Sequence, residues 1–257
     1  MAASAWDCRR TIAGFEEKDF TLSKWAVLEK LRVGIASAPA MSALFVVLDA
    51  KGTPRGVTVD LANDLGKQLG LPVEFMIASN TGLLTDAVEA GTIDVAFMPV
   101  DAERQKRIDF GPAYYIIEST YMVTGASGIK TVDEVDRAGI RIVGIANTTT
   151  IRAAGRSLQH TVIMPASSID AAVAMLHDGS ADAFALSRDA LPPFVAGLRD
   201  SRMTDGGFQH TGIAVAVQKN RHEALDFVTQ WMERAKATGV VRRALDAAGL
   251  KNELVAP

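Results

Sequence analysis

The sequence predicts an α/β protein made of two similar lobes, on three observations. Short apolar strand signals alternate with amphipathic helix signals, the pattern of mainly parallel sheets with crossover helices. The series starts again after Tyr121. One pattern also stands in both halves. AVEAGTIDVAF (87–97) and AMLHDGSADAF (174–184) each read helix end, glycine, two residues, aspartate, apolar strand. Gly91 and Gly179, like Asp94 and Asp182, are 88 residues apart.

Residues 1–30 read as an N-terminal arm of mixed charge, with Trp6, Phe15, Phe20 and Trp25 as docking points. LRVGIA (31–36) is a strand. TVDLANDLGKQLG (58–70) is a helix, because Val59, Ala62, Leu65 and Leu69 recur at helical spacing; Thr58 is its expected N-cap, and Gly70 with Pro72 its stop. PVEFMI (72–77) is a strand, LLTDAVEAG (83–91) a short helix and IDVAFM (93–98) a strand. In the second half TVDEVDRAG (131–139) reads as a helix and IRIVGIA (140–146) as a strand. SSIDAAVAMLHDG (167–179) is a helix capped by Ser167 or Ser168, and ADAFAL (181–186) is a strand. GIAVAV (212–217) is a strand, followed by a helix over 222–238 with the buried stripe Leu225, Val228, Trp231, Met232 and Ala235 and Gly239 as its C-cap. VVRRALDAAGL (240–250) is a final short helix. No third series follows, so these last elements complete an existing lobe. Two lobes joined by extended crossovers leave a cleft, lined by the loops at the strand C-termini, where ligands bind.

The 257 residues have a mass of 27.4 kDa, with 48% apolar and 22% charged side chains, which excludes a disordered or fibrous chain. A net charge of −3 and a pI near 5.8 leave no electrostatic case for nucleic acid. The single Cys8 excludes an intramolecular disulfide and a cysteine zinc site, and the four histidines are scattered, the nearest pair 12 residues apart. No cofactor or metal is expected. No apolar run has the length of a membrane span, so direct membrane insertion is not expected either. The first 20 residues carry charges where a secretory apolar region would lie, and Cys8 follows Trp6 and Asp7 rather than the small apolar residues that precede a lipidated cysteine. The expectation is a chain that, as written, carries no export signal.

G-x-G-x-x-G after a strand, G-x-x-x-x-G-K-[ST], G-x-S-x-G and H-E-x-x-H are all absent, so nothing positive points to catalysis. The informative stretch is PVDAERQKRIDFGPAYY (99–115), which starts at a strand's C-terminal edge. Asp101 can cap a helix opened by Ala102, Glu103 and Arg104. Free N–H groups at that start, with the Arg104 guanidinium, would make a carboxylate receptor. The other reading makes Arg104 a solvated residue beside Lys106 and Arg107. GIANTTTIRAAG (144–155) has the same form: a strand ends, Asn147, Thr148, Thr149 and Thr150 follow, and a helix begins. Their hydroxyls either cap that helix or also touch a ligand. Ser187 and Arg188 close the strand ADAFAL, with Arg188 a second anion contact or a salt bridge to Asp189 or Asp205. His210 reads as a structural hydrogen-bonder.

These blocks resemble the family 3 solute-binding proteins, the amino-acid-binding receptors of bacterial ABC transporters. LRVGI (31–35), GVTVDLANDLGKQLG (56–70), the A-G-x-I-D-V block (90–95), AERQKRIDFGPAYY (102–115) and GIAVAV (212–217) with its long helix carry the resemblance, which runs from about Leu31 to Leu250. It implies a periplasmic-binding-protein-like clamp, with lobe one at 31–118 plus 211–257, lobe two at 122–204 and hinges near 118–123 and 203–210. It also implies that Arg104 binds a ligand carboxylate, assisted by Thr149 with Thr148 beside it. Three places depart from the family pattern. Ser187 stands where an Asp or Glu usually holds the ligand ammonium. Asn80 and Thr81 stand where an aromatic residue stacks on the ligand. Pro99 replaces the serine or threonine before the arginine. The loop SAPAMSALFVVLDAKG (37–52), which contains Ser42, is longer than usual and lacks the common Pro-Pro-Phe text.

An ammonium desolvated without a carboxylate partner is costly. The resulting expectation is a small anionic or polar solute, a small carboxylate in preference to an α-amino acid, delivered to an ABC transporter permease. Asp101 or Asp189 could still reach in to hold an ammonium. The alternatives are an ordinary amino-acid-binding protein and an enzyme of the cyclohexadienyl dehydratase type, which needs a carboxylic acid in the cleft. An effector domain of a LysR-type regulator is a weaker reading, since thirty residues before Leu31 cannot supply its DNA-binding part. The resemblance implies a periplasmic location; the lack of an export signal would fit the cytoplasm.

Overall fold

The computed structural model describes residues 28–37 and 42–257. Residues 1–27 of the expected arm, with its aromatic docking points, and residues 38–41 of the 37–52 loop lie outside the described residues.

Lobe one begins with β1 (Leu31–Ala36), the two-residue strands β2 (Val47–Leu48) and β3 (Pro54–Arg55), and α1 (Val57–Leu69). It continues through β4 (Val73–Ala78), α2 (Thr81–Glu89), β5 (Val95–Pro99) and the single turn α3 (Ala102–Gln105). The long strand β6 (Ile108–Val123) leads into lobe two: β7 (Arg141–Ile145), α4 (Thr149–Ser157), β8 (Val162–Ala166), α5 (Ile169–His177), β9 (Ala183–Ser187), α6 (Pro192–Gly197) and β10 (Arg202–Met203). The chain then returns along β11 (Gln209–Gln218) to α7 (His222–Ala237) and α8 (Val240–Ala247), which cover lobe one.

The strand order is β4-β1-β5-β11-β6-β9-β7-β8. At each end three strands run parallel, β4-β1-β5 and β8-β7-β9, as crossover helices require. The antiparallel strands β11 and β6 join them. Ser119 is where β6 passes from one half to the other: it pairs with Gln209 of β11 and with Ser187 of β9. Each half buries apolar clusters on both faces of its strands. In lobe one, Trp231 and Leu65 lie on one face and Leu84 and Met98 on the other. In lobe two, Phe184 and Leu176 lie on one face and Tyr121 and Val135 on the other.

The repeated glycine and aspartate have one physical role in both halves. Gly91 (φ 70) and Gly179 (φ 76) adopt the left-handed backbone that ends a helix. Asp94 Oδ2 then accepts the backbone N–H of Arg32 at 2.8 Å and its Nε at 3.0 Å. Asp182 Oδ2 does the same for Arg141, at 2.9 and 3.0 Å. Each aspartate fastens the strand it precedes to the first strand of its lobe.

Three expected local features differ. α1 starts one residue early, at Val57, after Gly56 at φ 138; Thr58 is not its cap, because its hydroxyl donates to Phe45 O at 2.6 Å. The helix expected over 131–139 is only a 3-10 turn, Val132–Val135. Thr131 and Glu134 form a capping box, but the Asp136 carboxylate accepts the backbone N–H groups of Gln159 (3.0 Å) and His160 (2.7 Å), which holds the chain out of a helix. α2 starts at Thr81, two residues before the expected start, because Asn80 Oδ1 accepts the Leu83 N–H.

Candidate functional site

Lobe one contributes its first wall where β5 ends. Asp101 has extended backbone, and its Oδ1 accepts the N–H groups of Glu103 at 2.9 Å and Arg104 at 3.4 Å, which starts α3. That turn swings the Arg104 side chain inward, leaving the residue 5% exposed. Nη1 donates to Pro99 O at 2.9 Å and Nη2 to Thr81 Oγ1. The solvated reading fits the neighbours instead: Lys106 pairs with Glu103, and Arg107 with Asp86 and Glu89, on the surface.

A cavity of about 520 Å³ lies beside this wall, between the lobes. Asn80, Thr81 and Pro99 line it from lobe one, and Asn147, Thr148, Thr149, Thr150, Ser167 and Ser168 line it from lobe two. Three helix starts therefore face one space. Each has a side-chain cap: Asn80 for α2 at 3.0 Å, Thr148 for α4 at 3.2 Å and Ser168 for α5 at 3.1 Å. Asn147, at φ 63, makes the left-handed turn from β7 into α4. Helix N-termini carry partial positive charge and favour anions. The joining strands β6 and β11 add Ile117, Ser119 and Thr211, and β9 of lobe two adds Leu186 and Ser187.

Arg104 does not itself line the cavity; it stands directly behind Thr81 and Pro99, which do. Burial, and then the nearby Arg152, push its pKa down to about 10, so it keeps its charge at neutral pH. Burial pushes the Asp101 carboxyl up, but the bonds and charge of Arg152 outweigh this and hold it below the usual range. Among the described residues no charged side chain lines the cavity. Neither Asp101 nor Asp189 supplies a lining carboxylate.

Two expected site residues stand elsewhere. Arg188 is not on the cavity wall, and its partner is neither Asp189 nor Asp205. Its guanidinium pairs with Glu118 and donates to Gly206 O at 2.7 Å, because β9 passes beside β6 there. Ser42 is also off the cavity, its hydroxyl accepting the Leu44 N–H at 3.2 Å in a local turn. Phe45, three residues on, lines the cavity instead. Sequence reasoning missed Phe45, Ile117, Ser119 and Thr211. The signal available was weak, because Ser119 stands between Glu118 and Thr120 and Thr211 follows Gln209 and His210, so neither is a lone polar residue in its strand. Nothing in the sequence flags Arg152, which reaches from α4 to Asp101 across 51 positions of chain.

The sequence profile of the bacterial extracellular solute-binding proteins, family 3, matches residues 31–247. The chain belongs to that family. Amino-acid-binding protein AabA of Dichelobacter nodosus is 28% identical over 138 residues, 52% of this chain and 54% of that protein. Membrane-bound lytic murein transglycosylase F of Maricaulis maris is 30% identical over 139 residues, 51% of this chain but 30% of that protein. The chain thus spans about half the length of one curated relative and under a third of the other. Among solved structures, the L-cysteine solute receptor of Neisseria gonorrhoeae superposes with a TM-score of 0.75 at 21% identity, covering 89% of this chain and 96% of that one. The ancestral amino acid-binding protein AncCDT-1, a precursor of cyclohexadienyl dehydratase, gives 0.70 at 26% identity, covering 88% and 98%. Such structures share the two-lobed α/β architecture. Among the described residues no helix is long and apolar enough to cross a membrane.

Proposed function

We propose that this family 3 protein is a receptor whose lobes close on a small anionic or polar solute, a small carboxylate rather than a standard α-amino acid. The observation that carries this reading is the cavity wall: three helix starts and the Arg104 charge behind Thr81, with no lining carboxylate to hold an ammonium. A carboxylate there gains N–H and hydroxyl donors, whereas an ammonium would lose its water without gaining a counter-charge. In this reading Arg104 supplies the charge. Thr81, Asn80 and the Pro99 edge form the lobe-one contact, Thr148, Thr149 and Asn147 the lobe-two contact, and Ser187 the far side. The hinges lie near 118–123 and 203–210, between lobes at 31–118 plus 211–257 and 122–204. The closed form is sensed by an ABC transporter permease, with the periplasm as the place of work.

A standard amino-acid ligand is the second reading, favoured by the relative named an amino-acid-binding protein. One panel decides between them. Purified protein is unfolded, freed of ligand and refolded, then heated with amino acids, mono- and dicarboxylates, sulfonates, phosphonates and prephenate. A ligand at about 100 times its Kd stabilises by about 2.7 kcal/mol, a rise of roughly 5–10 °C for this size. A rise with carboxylates alone is the expected result. A rise with amino acids instead would overturn it, and turnover of prephenate would make the protein an enzyme.

A further inference from the structure

One buried polar group on the cavity has no partner. Thr211 is 6% exposed and lines the cavity, yet its Oγ1 makes no hydrogen bond among the described residues. Its place in the sheet gives this meaning. Thr211 of β11 stands opposite Ile117 of β6, and Ser119, two residues on, stands opposite Ser187 of β9. Side chains alternate along strands, so Thr211, Ser119 and Ser187 share one face across three neighbouring strands. All three line the cavity where the lobes join. Ser119 Oγ has only a 3.3 Å contact with Thr150 Oγ1, long for two hydroxyls.

This face asks for a particular group on the ligand. A buried hydroxyl left unpaired costs free energy, so a bare methylene against Thr211 is disfavoured. An ammonium there would meet three neutral hydroxyls; the nearest carboxylate, Asp189, is bonded to the Ser187 side chain and does not itself line the cavity. A ligand hydroxyl both donates and accepts, and so does each side chain of the face. We infer that the solute is a hydroxy-carboxylate, its carboxylate toward Thr81 and Arg104 and its hydroxyl on the face formed by Ser119, Ser187 and Thr211. This rests on the carboxylate reading above and deepens it. The 520 Å³ cavity leaves room for a chain beyond the hydroxyl-bearing carbon.

The test is titration calorimetry of the refolded full chain with matched triplets: alanine, lactate and propionate; leucine, 2-hydroxy-4-methylpentanoate and 4-methylpentanoate; and gluconate beside hexanoate. The hydroxy acid of a set is expected to bind at least about tenfold tighter than its deoxy partner, and Thr211→Val to bring the two within about threefold. Thr211→Val should leave the ligand-free Tm unchanged or raise it, since it removes an unpaired buried hydroxyl in a side chain of the same shape. Ser187→Ala is a second variant with the same expected loss of preference. Equal binding of hydroxy and deoxy acids would overturn this inference and leave the carboxylate reading standing. Preference for the amino acids, or no heat with any carboxylate, would overturn both.

Discussion

Arg152 and Asp101 form an ion pair that joins the two lobes at the edge of the cavity. Arg152 Nη2 lies 2.9 Å and Nε 3.3 Å from Asp101 Oδ2, while Asp101 Oδ1 starts α3. One carboxylate therefore holds the turn that carries Arg104 and receives a cation from α4, the helix that begins on the opposite wall. The contact between the two walls and the placing of Arg104 are linked through it.

Replacing Arg152 with Gln should weaken that link without unfolding either lobe. The Asp101 side chain is 4% exposed and would lose its cation; with Arg152 at 31%, the closed form should lose about 1–3 kcal/mol. Stopped-flow binding should show faster ligand release, and small-angle scattering a larger ligand-free radius. The Asp101 carboxyl is held below the usual range, so its contribution is present above the ordinary aspartate pKa and lost only as pH falls through its lowered value. Closure should therefore be flat from about pH 5 to 8 and fail only at pH values below the ordinary aspartate range.

Arg104→Met should weaken the carboxylate-induced thermal shift, with affinity down about tenfold or more, because the charge behind Thr81 and the bond that orients its hydroxyl are both lost. Circular dichroism should show the fold retained. Arg104→Lys should recover little, because a point charge cannot make both the Pro99 and the Thr81 bond in one plane. Full binding by either variant would remove Arg104 from the site.

Gly56→Ala should destabilise lobe one by more than about 2 kcal/mol in urea unfolding. Its φ is 138, and an added Cβ would lie 2.5 Å from Phe45 O, a backbone atom that cannot rotate away. Phe45 lines the cavity, so ligand affinity should fall with stability.

Asp94→Asn and Asp182→Asn should each cost about 1–3 kcal/mol of stability, since each removes the charge that binds an arginine side chain and its backbone N–H. Neither aspartate lines the cavity, so calorimetry should find ligand affinity within about threefold of the parent. Losses of similar size would show that the two lobes use one fastening.

The sequence by itself determined the alternating elements, the repeat of Gly91 and Asp94 in Gly179 and Asp182, the Asp101 cap and the place of Arg104. These depend on neighbours a few residues apart, through apolar periodicity, capping hydroxyls and carboxylates, and left-handed glycines. It misjudged 131–139, because Asp136 is claimed by Gln159 and His160 more than twenty positions away. Only the tertiary structure decided which polar residues share the cavity. Strand pairing sets Thr211 beside Ile117 and Ser187 beside Ser119, and the meeting of the two lobes sets Arg152 beside Asp101. It also took Arg188 to Glu118 instead of the ligand side. Those pairings depend on register and on how the two lobes meet, and neither leaves a local pattern in the chain.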